Sequence, residues 1–183
     1  MGPQLGRRAT AAPRPRRRPD PRPLRRGLRA AHRGDVLSAT DFSATVDLPH
    51  APDQVFRYLA DPRNRPEWQA SLLSVTMPER GEPRVGMRWR ETTVVGVRPR
   101  LEITELQPFK LWSEHGTWRG VSADLTLRFT AIASGCRVTA TGRVAGDGPW
   151  SFAARASGRL AGRAIRHDLL RAGEILTRGR IER

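Results

Sequence analysis

The spacing of hydrophobic and polar positions changes along this chain, and each change marks an element. From Asp41 the residues Phe42, Ala44, Val46 and Leu48 alternate with Ser43, Thr45 and Asp47, the two-residue period of a strand with one buried face. Pro49 closes it. Pro52 suits the first position of a helix and Asp53 complements the helix dipole; Val55, Phe56 and Leu59 form an apolar stripe that Asp61-Pro62 ends. A short, proline-bounded helical turn then carries Trp68. Five or six β runs follow, at roughly 70–78, 86–97, 99–107, 110–118, 121–132 and 136–145, punctuated by Gly81, Gly86, Pro108, Gly116, Gly120, Gly135 and Gly146. From Trp150 to about Thr177 the period becomes helical: Ala153, Ala156, Leu160, Ala164, Ile165, Leu169, Ala172 and Leu176 recur at three- and four-residue steps. Arg155, Arg159, Arg163 and Arg166 lie on the opposite flank. Gly158, Gly162 and Gly173 each weaken this helix by about 1 kcal/mol relative to alanine. It therefore needs a large partner, and its glycines allow a close approach to a sheet, or a bend. The predicted class is α+β, with a long helix along a curved antiparallel sheet.

Charge divides the chain. Of 33 basic residues against 18 acidic ones, only Lys110 is a lysine, a bias that fits a GC-rich coding sequence and lowers the weight of any single arginine. Residues 1–37 hold eleven arginines against Asp20 and Asp35, with six prolines and few large apolar side chains. Such a segment does not bury enough surface to offset its conformational entropy, so a disordered tail is expected, followed by one domain over 38–183. An arginine arm binds nucleic acid or another anionic surface through counterion release, and nucleic-acid association is expected only through this tail. Without aromatic residues to stack on bases, that binding would be unspecific. The other readings are a solvated arm, or synthesis that starts near Val36. Cys136 is the only cysteine, which excludes an internal disulfide and a cysteine-based zinc cage. No apolar run approaches the roughly 18 residues of a bilayer span, and no apolar stretch follows Arg7-Arg8 as an export signal requires. The expectation is a cytoplasmic protein without stable membrane insertion.

Several segments together resemble a known superfamily. They are Asp41-Phe42-Ser43-Ala44-Thr45-Val46 leading into Ala51-Pro52-Asp53-Gln54-Val55-Phe56, then Asp61-Pro62 and Trp68. Later come the strand Leu101-Glu102-Ile103-Thr104-Glu105-Leu106 before Pro108, and the turn Ser134-Gly135-Cys136-Arg137-Val138-Thr139. Over roughly Ser38 to Thr177 the chain is similar to the START-like, helix-grip (SRPBCC) superfamily, in its polyketide cyclase/dehydrase-type branch. The resemblance implies about seven antiparallel strands curled around the C-terminal helix, two short helices after the first strand, and an elongated apolar cavity. It further implies a small hydrophobic ligand, aromatic, polyketide-like or lipid-like, which the protein either cyclises and dehydrates or only carries or senses. Fold alone does not select between these.

Candidate site residues follow from strand parity. Met87, Trp89, Glu91, Thr93 and Val95 share the more apolar face of their run, which directs Glu91 inward. A desolvated carboxyl there would titrate high and suit acid–base work on a ketone; the alternative is an ion pair with an arginine, or the opposite register. His115, on a face with Leu111 and Ser113, is the second proton-transfer candidate; Trp112, Glu114 and Trp118 form the inward set if the parity is reversed. Trp89, Thr93, Ser113, Trp118, Leu160 and Ala164 are the expected ligand-binding residues, although such tryptophans also serve simply as core. His167 and Asp168 invite comparison with a metal site, but adjacent helix positions point about 100° apart. No metal site and no cofactor are predicted, and oligomeric state is open.

Overall fold

The computed structural model describes residues 38–78 and 80–181. The basic-tail reading of residues 1–37 lies outside the described residues. Strand β1 (Ser38–Leu48) leads into α1 (Pro52–Leu59); a 3₁₀ turn at Pro62–Asn64 then runs into the single-turn α2 (Arg65–Trp68). Six strands follow: β2 (Leu72–Thr76), β3 (Arg88–Thr93), β4 (Arg100–Gln107), β5 (Leu111–Trp118), β6 (Val121–Ile132) and β7 (Gly135–Gly146). The last helix is α3 (Ser151–Ile181). The strands form one antiparallel sheet in the order β1-β7-β6-β5-β4-β3-β2. This is the helix-grip architecture that the resemblance implies, with two short helices after the first strand.

The two-residue period of β1 is realised as expected, with Ala44, Val46 and Leu48 buried and Ser43, Thr45 and Asp47 exposed. The 86–97 run is shorter than its pattern suggests. Strand β3 stops at Thr93, because Gly96 has φ +80° and the Thr93 N–H donates to the Val97 carbonyl at 2.9 Å, turning the chain toward β4. Valines 94 and 95 are consequently exposed.

The glycines of α3 settle where that helix lies. A Cβ on Gly158 would come 2.5 Å from Thr40 Cβ, and one on Gly173 would come 2.7 Å from Leu48 Cδ2. Both face β1, so the glycines serve close approach. His50 fastens the far end, with its Nε2 3.2 Å from the Gly173 carbonyl oxygen and 3.0 Å from Thr177 Oγ1. Ile165, Leu169 and Ala172 bury the inner face of α3 in a core that includes Val46, Leu48, Phe56, Leu59, Phe129 and Val138. Fully burying each large apolar side chain contributes about 1.5–3 kcal/mol. Because α3 packs chiefly on β1 and β7, the sheet curves away from it over β4, β5 and β6. A space remains there.

On the opposite face one row of residues crosses six strands in register: Arg88, Glu102, His115, Asp124, Arg143 and Asp41. Their basic and acidic characters alternate. Arg88 meets Glu102 at 2.7 Å, His115 meets Asp124 at 2.6 Å, and Arg143 meets Asp41 at 2.6 Å.

Candidate functional site

The space between α3 and the sheet is a cavity of about 430 Å³. Its apolar wall includes Phe42, Leu101, Trp118, Leu125, Val144 and Ile165, with Ala161 and Ala164 on the helix side. Exposed Ser71, Ser157 and Ala164 belong to the lining, so the space reaches solvent. Trp118 stands edge-on to Trp150 at 5.3 Å between ring centroids, and Arg119 lies over both rings.

The polar part of the wall centres on Arg65, only 3% exposed. The local sequence explains its position. Asp61 accepts the Arg63 N–H at 3.0 Å to start the 3₁₀ turn, and the chain then makes one turn of helix. Trp68 is drawn into the core, and Arg65, three residues earlier, shares its side of the helix. The guanidinium carbon lies 5.9 Å from the ring centre of Trp68 and 5.8 Å from those of Trp89 and Trp112. Arg65 Nε is 2.8 Å from Glu91 Oε1 and donates to Gln69 Oε1 at 3.1 Å, and Nη1 donates to Glu114 Oε2 at 2.5 Å. The Trp89 indole N–H also donates to Glu91 Oε1, at 3.0 Å. The Trp68 and Trp112 indole nitrogens are buried without a hydrogen-bond partner among the described residues.

One cation thus serves two buried carboxylates. Burial raises the pKa of Glu114, Arg65 opposes the rise, and Glu91 adds to it; the carboxyl is left at about 7. Burial works against the charge of Arg65, but Glu114 and Glu91 more than offset it and its pKa rises. Asp168, on α3, is the third buried acidic side chain of the wall, 6% exposed, with Oδ1 accepting the Ala70 N–H at 3.1 Å. Burial pushes its carboxyl up as well. A carboxyl that is part protonated near neutral pH, fixed beside a guanidinium at an apolar cavity, can both take and return a proton.

The structure sorts the residues singled out from the sequence. Glu91, Trp118 and Ala164 line the cavity, and Trp89 is buried behind it against Arg65. The others are displaced. The reversed parity of β5 is the one adopted: Trp112, Glu114 and Trp118 turn inward, which sends Ser113 and His115 to the other face. There Ser113 pairs with Thr126 at 2.9 Å, and His115 sits in the charged row beside Asp124. Thr93 Oγ1 accepts the Val97 N–H at 3.0 Å and so belongs to the turn. Leu160 is 64% exposed, because the glycines rather than the leucine face β1. His167 and Asp168 have side chains 72% and 8% exposed, with His167 Nδ1 3.7 Å from Asp168 Oδ1.

Arg65 and Asp168 escaped the sequence reading. Nothing distinguishes Arg65 among 32 arginines except its place three residues before a buried tryptophan. Asp168 carried a clearer signal: it falls three residues after Ile165, on the buried stripe of α3.

The comparisons with known proteins agree with this geometry. TTHA0849 from Thermus thermophilus is 17% identical with a TM-score of 0.64, over 76% of this chain and 98% of that one. MLL2253 from Mesorhizobium loti is 18% identical with a TM-score of 0.60, over 75% and 97%. The di-domain ARO/CYC StfQ from the steffimycin biosynthetic pathway is 18% identical with a TM-score of 0.61, over 79% of this chain and 52% of that one. Such likenesses establish the fold. Comparison with curated protein sequences gives no match. The sequence model of one family, described as polyketide cyclase / dehydrase and lipid transport, matches residues 39–173. The chain belongs to that family.

Proposed function

We propose that the domain binds a small hydrophobic, aromatic or polyketide-like molecule in the cavity and carries out proton transfer on it, as a cyclase or dehydrase does. The observation that carries this reading is Glu114: a buried carboxyl in the cavity wall, 2.5 Å from Arg65 and titrating at about 7. Family membership and the likeness to StfQ support it. In this reading the apolar wall holds a flexible polyketone folded, so that its reacting carbons meet without a further entropy cost. The Glu114 carboxylate removes a proton from the carbon beside one carbonyl, and the enolate charge develops near Arg65. The enolate carbon bonds to a second carbonyl carbon of the same chain, whose oxygen becomes an alkoxide. Glu114 returns the proton to that oxygen, and loss of water from the resulting alcohol completes the sequence.

Native mass spectrometry of the purified protein is expected to reveal a co-purified small apolar molecule. With that molecule or a short aromatic polyketone as substrate, Glu114→Gln is expected to lower turnover by about 10²–10⁴-fold, the usual contribution of a positioned acid–base group. Its affinity should stay within about threefold. Unchanged turnover in Glu114→Gln removes the acid–base assignment. Binding without any turnover in the wild type leaves a carrier.

A further inference from the structure

Asp168 is a buried carboxylate of the wall that proton transfer at Glu114 does not use. Its Oδ1 is occupied by the Ala70 N–H, but its Oδ2 has no hydrogen bond among the described residues, although the side chain is nearly as buried as Arg65. His167 Nδ1 is 3.7 Å from Oδ1, beyond hydrogen-bond reach, and points to solvent; Arg171, one turn along α3, is exposed. Among the described residues, the inward-facing charges of the wall are Arg65 from α2, Glu91 from β3, Glu114 from β5 and Asp168 from α3. Asp124, also on the wall, turns its carboxylate to His115 on the other face. One cation therefore faces three carboxyl groups inside a chain whose net charge is +15. Arg65 is already committed to Glu91 and Glu114.

Burying uncompensated negative charge is costly, and a protein relieves it by taking up protons or by acquiring a cation. A ligand with an anionic head would add a fourth negative group and is disfavoured. A ligand with a protonated nitrogen would complete the balance. We infer that the occupant of this cavity carries a basic nitrogen, which rests as an ammonium against Asp168 Oδ2 while its apolar body lies among Leu101, Leu125, Val144 and Ile165. The inference rests on the cavity being the binding site proposed above and narrows its ligand class to hydrophobic amines.

Three near-isosteric probes separate the two claims: 1-naphthylmethylamine, 1-naphthalenemethanol and 1-naphthoic acid, titrated by calorimetry into the full-length protein. The amine is expected to bind at least tenfold tighter than the alcohol, with the acid weakest. The preference should grow from pH 6 to pH 8, as Glu114, titrating at about 7, loses its proton. Asp168→Asn keeps an oxygen for the Ala70 N–H, and is expected to abolish the preference while leaving the alcohol's affinity within about threefold. Equal binding of amine and alcohol, or tighter binding of the acid, overturns the amine assignment and leaves the cavity reading standing. If none of the three binds, both are overturned. Should Asp168→Asn fail to fold, the pH dependence of the amine-to-alcohol ratio in the wild type decides the question: a ratio that stays flat overturns the inference.

Discussion

The two faces of this sheet carry the same chemical pairs in opposite circumstances. On the outer face, arginine meets carboxylate in water: Arg143 with Asp41, Arg137 with Asp47, Arg88 with Glu102. On the inner face Arg65 holds Glu91 and Glu114 with 4% or 7% of each side chain exposed. Distances barely differ, between 2.5 and 2.8 Å throughout. Solvent separates the two cases. Outside, water screens the pair and supplies an alternative partner for each group, so an exposed ion pair contributes about 0–1 kcal/mol. Inside, removing one member strands the other in a medium that solvates it poorly. Distance alone does not rank ion pairs; the environment does.

The largest break in that comparison is Arg65→Met. It leaves two buried glutamates without their cation and is expected to cost about 3–5 kcal/mol, a fall in Tm of roughly 10 °C for a domain of this size. A loss below about 1 kcal/mol in urea unfolding would mean that water reaches the cluster freely.

The pH dependence of stability comes next, and its sign differs between the faces. Glu114 titrates at about 7 in the folded chain, above its ordinary 4.5. The stability it contributes is fully present below about pH 4.5 and is lost as pH rises through 7, a change on the order of 3 kcal/mol. Glu114→Gln is expected to flatten this decline in urea midpoints measured from pH 5 to pH 8. Asp41 and Asp47 behave in reverse: hydrogen bonds from Arg143 and Arg137 hold their carboxyls below the usual 3.8. Their contribution is present above that value and fades as pH falls below it. In the same experiment Asp41→Asn should leave the slope between pH 5 and pH 8 unchanged, because the Asp41 contribution is constant over that range.

The smallest effect is expected on the outer row itself. Asp124→Asn and Arg143→Ala should each leave the urea midpoint close to that of the wild type, and closer still in 1 M salt. A fall in midpoint from either as large as that of Arg65→Met would show that the row acts as a network and not as separate exposed pairs.

Much of the fold was legible in the chain. The alternation from Phe42 to Leu48, the proline at position 52 and the three- and four-residue steps from Ala153 to Leu176 each reflect a local period, which a sequence displays directly. The site was less legible, for reasons that differ by residue. Both faces of β5 mix apolar and polar side chains, with Leu111 and Ser113 on one and Trp112 and Glu114 on the other, so the pattern has no preferred parity. Arg65 looks like any other arginine. Asp168 reads beside His167, its neighbour in sequence, when its relevant neighbours are Ala70 and Arg65 across the fold.

Residue order by itself determined which segments become strands and helices and placed the chain in its superfamily, because hydrophobic periodicity and turn-forming residues act over a few positions. Packing alone decided which side of β5 turns inward, how closely α3 lies on β1 and, as a result, that Arg65 shares a cavity with three buried acidic groups. Those outcomes depend on contacts between residues far apart in the chain, such as Arg65 with Glu114 and Ala70 with Asp168, and on the removal of water, which no local pattern encodes.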